Sequence, residues 1–425
     1  MKFAFVTPRY GAEIASGAEH ACRLLAEQLA QRHDVDVITT CARDPRTFAN
    51  ASPEGADKVR GVLVRRFSVG HGHEAAAFTA LSERLRREPH TRADEIEWSR
   101  RLGPNSPSLL DFLKRQHRNY DALVFFSLFH PTTVHGLRVA PERSVLFPHL
   151  QLSPSLRFGL WEELLRLPRG IGYFSGAERR LARGFVGATP GFEEVVGIGI
   201  DPAPPQTYPR HQQDPADAPE VEGERAPDDD EPAAEEYLDG RGVPFRRRHR
   251  LYGPMAVYAG KVDGGNGCEE MLEYFDSYAG AEPADSPASL VLVGVKMMRV
   301  PPEPYVRMAG VLPQRERMTA FEAADVTIAP DADDLLAQSL LESMAVGTPV
   351  LASARNAAAV EHCRHAGGGL FYGNRAEFVE GLRTIMGNHR LRERMGAAGR
   401  HYVRQHHRCD AVLGRFDRLI ARVKK

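Results

Sequence analysis

Two carboxylates eight positions apart, Asp334 and Glu342, bracket the segment DADDLLAQSLLESMAVGTPV. A helix beginning near Ala337 leaves Asp334 in the preceding loop and turns Glu342 toward the same cleft, where both could accept hydrogen bonds from sugar hydroxyls. The amides of Leu336, Ala337, Gln338 and Ser339 would then face a phosphate at the helix start. An amphipathic helix with one solvated glutamate is the plainer reading of the same letters. A second cluster runs from Gly260 and Lys261 through Asp263, Gly264, Gly265 and Asn266 to Gly267. A cation at a strand end, facing a glycine-rich turn, can neutralise a departing diphosphate, although a mobile connection with a solvated lysine has the same composition. A third lies at Ser16-Gly17-Ala18-Glu19, where a small residue at a helix start would admit an anion and Ser16 could equally be an N-cap. Asp331-Ala332-Asp333 has the lettering of a metal-binding pair, but it falls inside the paired-acid segment, where chance explains it.

The elements that must hold these groups alternate. KFAFVTP reads as a short buried strand, followed by a loop from Gly11 to Gly17, an apolar-faced helix in AEHACRLLAEQLAQRH and a strand at DVDVIT. Further strands fall at Gly61–Phe67, Ala122–Leu128 and Ser144–His149. The pattern restarts at PMAVYAGKV, with a helix in GCEEMLEYFDSYA and strands at SLVLVGV, DVTIAP and TPVLAS. Strand-loop-helix-strand units build parallel sheets that collect ligands at their carboxyl ends. The predicted organisation is a first α/β domain over 1–200, a linker over 201–250, a second α/β domain over 251–407 and a final helix over 408–425. That helix carries Val412, Phe416, Leu419 and Val423 at spacings of three and four, a face suited to core packing.

Composition narrows the partners. The 425 residues, 42% hydrophobic and 26% charged, suit two globular domains. Residues Asp214 to Asp239 hold twelve acids against Arg225, a net of −11 that leaves +10 on the rest of a chain whose total is −1. That acidic stretch, inside a Pro-, Asp-, Glu- and Ala-rich region from Asp201 to Arg241, reads as a disordered insertion. The basic run Arg246 to Arg250 could pair with it. A moderately basic body suits anionic substrates or a membrane surface, and the near-neutral total argues against a general nucleic-acid binder. No apolar run approaches the ~18 residues of a spanning helix, and the N-terminus lacks a signal-peptide pattern. Five scattered cysteines, Cys22, Cys41, Cys268, Cys363 and Cys409, form neither a disulfide framework nor a metal knuckle, so a reduced, cytoplasmic protein is expected.

Taken together, KFAFVTPRYGAEIASGAEHACRLLAEQL, YAGKVDGGNGCEEMLEYF, the run AGVLPQRERMTAFEAADVTIAPDADDLLAQSLLESMAVGTPVLAS and GGGLFYGNRAEF resemble retaining, nucleotide-sugar-dependent glycosyltransferases of the family-4 type. The resemblance spans almost everything but the acidic insertion. It implies the α/β GT-B architecture, two Rossmann-like domains facing each other across a cleft, with the C-terminal helix crossing back to the first domain. It further implies a nucleotide-diphosphate sugar as co-substrate, bound mainly by the second domain, with no metal or other cofactor and a small-molecule or glycan acceptor on the first.

Carried over residue by residue, the resemblance makes Gly17 the retained half of a glycine pair whose other position is Ser16. Lys261 is the retained cation beside the leaving diphosphate, and Asn266 stands where a second cation is usual. Asp334 takes the place of a glutamate near the donor sugar, and Glu342 that of the ribose contact. Leu336-Ala337 replaces a Phe-Gly pair. His130 resembles the family histidine near the reacting sugar, with His149 at the next strand end. Gln151-Leu152-Ser153-Pro154 stands where close relatives carry His-Asp-Glu-Pro. Base recognition would fall to backbone groups around Ala309 to Val311. These departures keep a rival open, a noncatalytic nucleotide-binding scaffold or activator of another enzyme. A peripheral membrane transferase, using the arginines of 84–87 and 179–183, is the weaker alternative.

Overall fold

The computed structural model describes residues 1–14, 17–200, 242–281 and 288–424, so Ser16 and the acidic stretch from Asp201 to Arg241 lie outside the described residues. Two sheets organise the chain. The first contains β1 (Lys2–Val6), β2 (Asp34–Thr40), β3 (Gly55–Val59), β4 (Val62–Phe67), β5 (Ala122–Phe126), β6 (Ser144–Phe147), β7 (Gly170–Tyr173) and β8 (Phe192–Val195). Its order is β3-β4-β2-β1-β5-β6-β7-β8, parallel throughout except for β3 on β4. The second contains β9 (Met255–Ala259), β10 (Ser289–Val293), β11 (Val306–Gly310), β12 (Val326–Ala329), β13 (Val350–Ser353) and β14 (Gly369–Tyr372), all parallel in the order β11-β10-β9-β12-β13-β14. The central strands are continuous apolar runs because helices cover both faces of a parallel sheet.

Strand order reverses beside β1 in the first sheet and beside β9 in the second. Such reversals splay the loops at the carboxyl ends apart and open a crevice there. The loop after β1 leads into the helix Gly17–Leu29, which buries Ala21, Leu25 and Leu29. This helix is shorter than the apolar spacing suggests, because the amides of Arg32 and His33 both turn back onto the Leu29 carbonyl. β3 is invisible to hydrophobic patterning. Its residues are almost all exposed, and it exists as the partner of β4 across a two-residue turn, Arg60-Gly61, with φ of 47° and 86°.

The helix Gln338–Val346 starts one residue later than expected, with Ala337 as a left-handed N-cap at φ 51°. Two arginines of the basic run pair within the second domain, while its expected partner, the acidic stretch, lies outside the described residues. Arg246 donates to the Ala323 and Gly253 carbonyls and pairs with Asp325 at 3.2 Å, while Arg248 pairs with Glu316 at 2.8 Å. Arg246 thereby staples the start of the second domain to its core.

The last helix, Cys409–Val423, packs against β7 and β8 of the first sheet. Gly170 in β7 makes that approach possible: a Cβ there would stand 2.7 Å from a methyl of Val423 and 3.1 Å from one of Leu419. Phe416 inserts between Phe3, Phe5 and Phe147. The chain thus leaves the first domain after Ile200 and returns to it after His407, and the Ile200 amide donates to the His407 carbonyl at 2.6 Å. The apolar core of the first domain continues into the second through Leu335, Leu336, Leu340 and Leu341.

Candidate functional site

Between the two sets of strand ends lies a cavity of about 1270 Å³. The second domain contributes Gly260, Lys261 and Ser339 to its wall, and the first contributes Gly17, His130, His149 and Gln151. Each is placed by a strand end or a helix start. β9 ends at Ala259, so Gly260 and Lys261 emerge at its carboxyl edge, with Lys261 exposed to the cleft. Ser339, in the first turn of its helix, anchors that turn by donating Oγ to the Ala259 carbonyl at 2.8 Å. Gly17 opens its helix at φ 75°, a left-handed conformation that glycine adopts without a Cβ penalty.

His130 follows β5 and caps the short helix Pro131–Gly136. Its Nδ1 lies 2.5 Å from the Gly103 carbonyl oxygen, which can only accept, so Nδ1 carries the proton. Burial pushes its pKa down, leaving a neutral ring whose Nε2 is an acceptor. His149, at φ 49° after β6, is pushed down to about 4, chiefly by burial. The loop around it is held by Glu178, fully buried, whose carboxylate accepts from the amides of Leu150 at 2.9 Å and Phe174 at 2.7 Å.

The remaining candidates stand behind the wall. Asn266 directs its amide nitrogen to the Lys261 carbonyl at 3.4 Å, while its own backbone amide is capped by Asp263 at 2.9 Å. It therefore shapes the turn that carries Lys261. Asp334 accepts through Oδ1 from the amides of Leu336 and Ala337, at 3.1 and 3.0 Å. Two of the four amides expected to face a phosphate are thus taken by the protein's own carboxylate. Burial pushes the Asp334 pKa up and these amides oppose the shift. Ala337 is buried as the left-handed cap, and Gln338 donates Nε2 to Glu342 Oε1 at 2.9 Å.

Glu342 is 1% exposed and pairs with Arg317 at 2.5 Å. Its Oε2 is buried with no hydrogen-bond partner among the described residues. Arg317 itself lines the cleft, so the pair joins the cleft floor to the interior. Beside them, Val311 and Leu312 form part of the same wall, next to the stretch expected to meet a base.

Residues 254–402 match the family described as glycosyl transferases group 1. The second domain is thus a group 1 glycosyl transferase domain. The whole chain is also similar in fold to solved structures. Sucrose-phosphate synthase from Thermosynechococcus elongatus aligns over 99% of this chain and 98% of its own, at 15% identity and a TM-score of 0.67. Anabaena HepE in complex with UDP and glucose aligns over 99% of both chains at 13% identity and 0.65. The α,α-trehalose 6-phosphate synthase of Burkholderia multivorans aligns over 99% of this chain and 98% of its own at 11% identity and 0.64. These likenesses establish the GT-B fold of two Rossmann-like domains. No curated protein matches the sequence.

Three residues of this transferase matter to the site without having been singled out by motif. Gly294, at φ 140°, lines the cleft, and a Cβ there would stand 1.9 Å from the Gly260 carbonyl oxygen. Asn356 donates Nδ2 to the carbonyls of Asp331 at 2.7 Å and Asp334 at 3.0 Å, holding the acidic loop from the far side. Arg9, after β1, forms a two-pronged pair with Glu19, at 2.9 Å for each nitrogen, on the cleft wall. Among the described residues, no group of three His, Cys, Asp or Glu side chains could hold a metal ion, and no helix is long and apolar enough to cross a membrane.

Proposed function

We propose that this glycosyltransferase moves a sugar from a nucleoside-diphosphate sugar to an acceptor hydroxyl with retention of anomeric configuration. One observation carries the reading: a single cavity brings Lys261, at the carboxyl edge of β9, to the same space as His130 and His149, at the carboxyl edges of β5 and β6. The diphosphate would lie against Gly17, Gly260 and Lys261, and the ribose near Glu342. The acceptor oxygen attacks the anomeric carbon from the face the diphosphate leaves. The bond from that carbon to the phosphate oxygen breaks, and the departing oxygen takes the hydroxyl proton. Lys261 stabilises the charge that develops there, and the neutral His130 orients the reacting groups. The five buried cysteines, none of them in a disulfide among the described residues, suit the reducing cytoplasm.

The test begins with a thermal-shift screen of UDP-, GDP-, ADP- and dTDP-sugars, because a ligand that binds the folded chain raises its apparent stability. UDP-glucose comes first, since UDP and glucose occupy HepE. A stabilising donor is then incubated with acceptors, and the product is weighed by mass spectrometry and its anomeric configuration read by NMR. An inverted product rules out the retaining course.

One set of observations favours a second reading, a nucleotide-binding scaffold without turnover. Asp334 is spent on its own loop and Glu342 is engaged by Arg317 and Gln338. Tight nucleotide binding with no transfer across a broad acceptor panel would select it.

A further inference from the structure

The first-domain half of the cavity is built differently from the half facing Lys261. Its wall is aromatic. Phe78, Trp98, Phe129 and Phe158 all line it, with Trp98 at the centre, its ring centroid 4.9 Å from that of Phe78, 6.5 Å from Phe129 and 5.5 Å from Phe158. Several of the polar atoms embedded in this wall are already committed. Trp98 donates Nε1 to Ser82 Oγ at 2.8 Å, and that hydroxyl donates onward to the Phe78 carbonyl at 2.7 Å. His90 contacts the Glu88 carbonyl through Nδ1 at 3.1 Å and Glu95 through Nε2 at 3.3 Å. Phe78 is the half-buried ring of the four, Trp98, Phe129 and Phe158 showing 6%, 9% and 6% of their surface, so this stretch offers apolar ring surface and few partners for the hydroxyls of a sugar, which would be desolvated there at a cost.

The rim is charged. Arg86, Arg87 and Arg157 line the cavity and are exposed, and no carboxylate pairs with any of them among the described residues. Their neighbour Arg84, on the same helix Ala75–Arg87, is by contrast paired with Asp94 at 2.6 Å. Glu83 and Glu88 share the rim, so three arginines face two glutamates and the excess is one positive charge. A pocket that holds one drug-sized ligand is typically about 300–1,000 Å³, so the cavity has room for a second molecule beside a donor.

We infer that the acceptor is a hydroxylated molecule with a flat apolar ring body and one anionic group, its rings against Trp98 and Phe78 and its anion at Arg86, Arg87 and Arg157. This assignment rests on the transferase reading and names the substrate class of its acceptor side. The anion could be a carboxylate or a phosphate, since an arginine rim receives either.

The chain has two tryptophans, Trp98 in the wall and Trp161 behind it at a ring separation of 5.9 Å, so tryptophan emission reports this half of the cleft. The full chain is titrated with 4-hydroxyphenylacetate, phenyl phosphate, methyl 4-hydroxyphenylacetate and glucose 6-phosphate, with emission excited selectively at the indole. One of the two aromatic anions should quench saturably and at least tenfold more tightly than the neutral ester, and whichever wins identifies the anion. In an Arg86→Gln, Arg157→Gln double variant, whose changes are at exposed positions, the acid and the ester should bind alike. Equal binding of acid and ester to the wild type, or tighter binding of glucose 6-phosphate than of either aromatic anion, overturns the inference. A UDP-sugar thermal shift on the same preparation separates the two failures. A bound donor without aromatic-anion preference sinks the acceptor class alone, and the absence of any nucleotide binding sinks the transferase reading on which it rests.

Discussion

Arg317 and Glu342, 2.5 Å apart, form a charge pair at the boundary between the cleft and the interior of the second domain. Both side chains are nearly inaccessible, at 9% and 2%. Burial pushes the Glu342 carboxyl up, and Arg317 and Gln338 oppose that shift by stabilising the anion. Removing one partner strands the other charge, so Arg317→Ala should cost about 3–5 kcal/mol of unfolding free energy. Replacing both with apolar residues of similar volume should cost much less. Urea unfolding of the single and double variants checks this; equal losses in both would show that packing, and not the stranded charge, governs the site.

Lys261 presents the opposite case. It is exposed and its side chain has no bonded partner among the described residues, so Lys261→Ala should leave the melting temperature unchanged within about 1 °C while transfer falls by roughly 10²–10³, the scale on which a single donor to developing charge acts. Steady-state kinetics with the donor found by screening measures the loss. A variant with unaltered kcat removes Lys261 from the reaction.

Gly294 tests the backbone of the donor side. With φ at 140° and the Gly260 carbonyl 1.9 Å from the position of a Cβ, Gly294→Ala forces β10 and β9 apart at their carboxyl ends. The strain and displacement together should destabilise the chain by about 2–4 kcal/mol and weaken nucleotide binding more than a surface Gly→Ala change at Gly414, where nothing stands within 4 Å. Melting curves with and without nucleotide compare the two.

Stability should pass through a maximum as pH is varied. Burial pushes Glu178 up to about 7 from 4.5, so its contribution is complete below pH 4.5 and is lost as pH rises through 7. Burial pushes His149 down to about 4 and His20, packed beside Gln338 across the domain boundary, down to about 3. Their contribution is complete above pH 6.5 and is lost as pH falls toward those values. Because two histidines oppose one glutamate, chemical denaturation across this range should peak near pH ~7, where the two slopes cancel. Glu178→Gln should flatten the alkaline limb and His149→Gln part of the acid limb; unchanged limbs would assign the pH dependence to other groups.

How much of this was legible follows from distance along the chain. The parallel sheets and the strand ends carrying Lys261, His130 and His149 could be read because apolar runs and their terminators are local signals. Arg317 and Glu342 are 25 residues apart and meet only once two helices pack, so no spacing rule points to the arginine. Asn356 could be read as a helix cap, but its hold on the Asp331 and Asp334 carbonyls depends on a loop 22 to 25 residues away. Asp334 shows the converse. Its place in a motif is plain, yet a short carboxylate reaches the amides two and three residues on before it reaches a ligand, and that local competition decides where it points.

The two passages of the chain between domains, after Ile200 and after His407, lie side by side and are bonded to each other. They act as a door hinge with both leaves screwed to one pin: the domains can swing about that line, while sliding or twisting apart would tear the Ile200 to His407 bond and lift the last helix off β7 and β8. Donor entry and product release therefore share one degree of freedom, and the contact of Arg180 with Glu361 at 2.6 Å, beside the pin because the neighbouring His362 packs on His407 at 5.2 Å, ties the two leaves together.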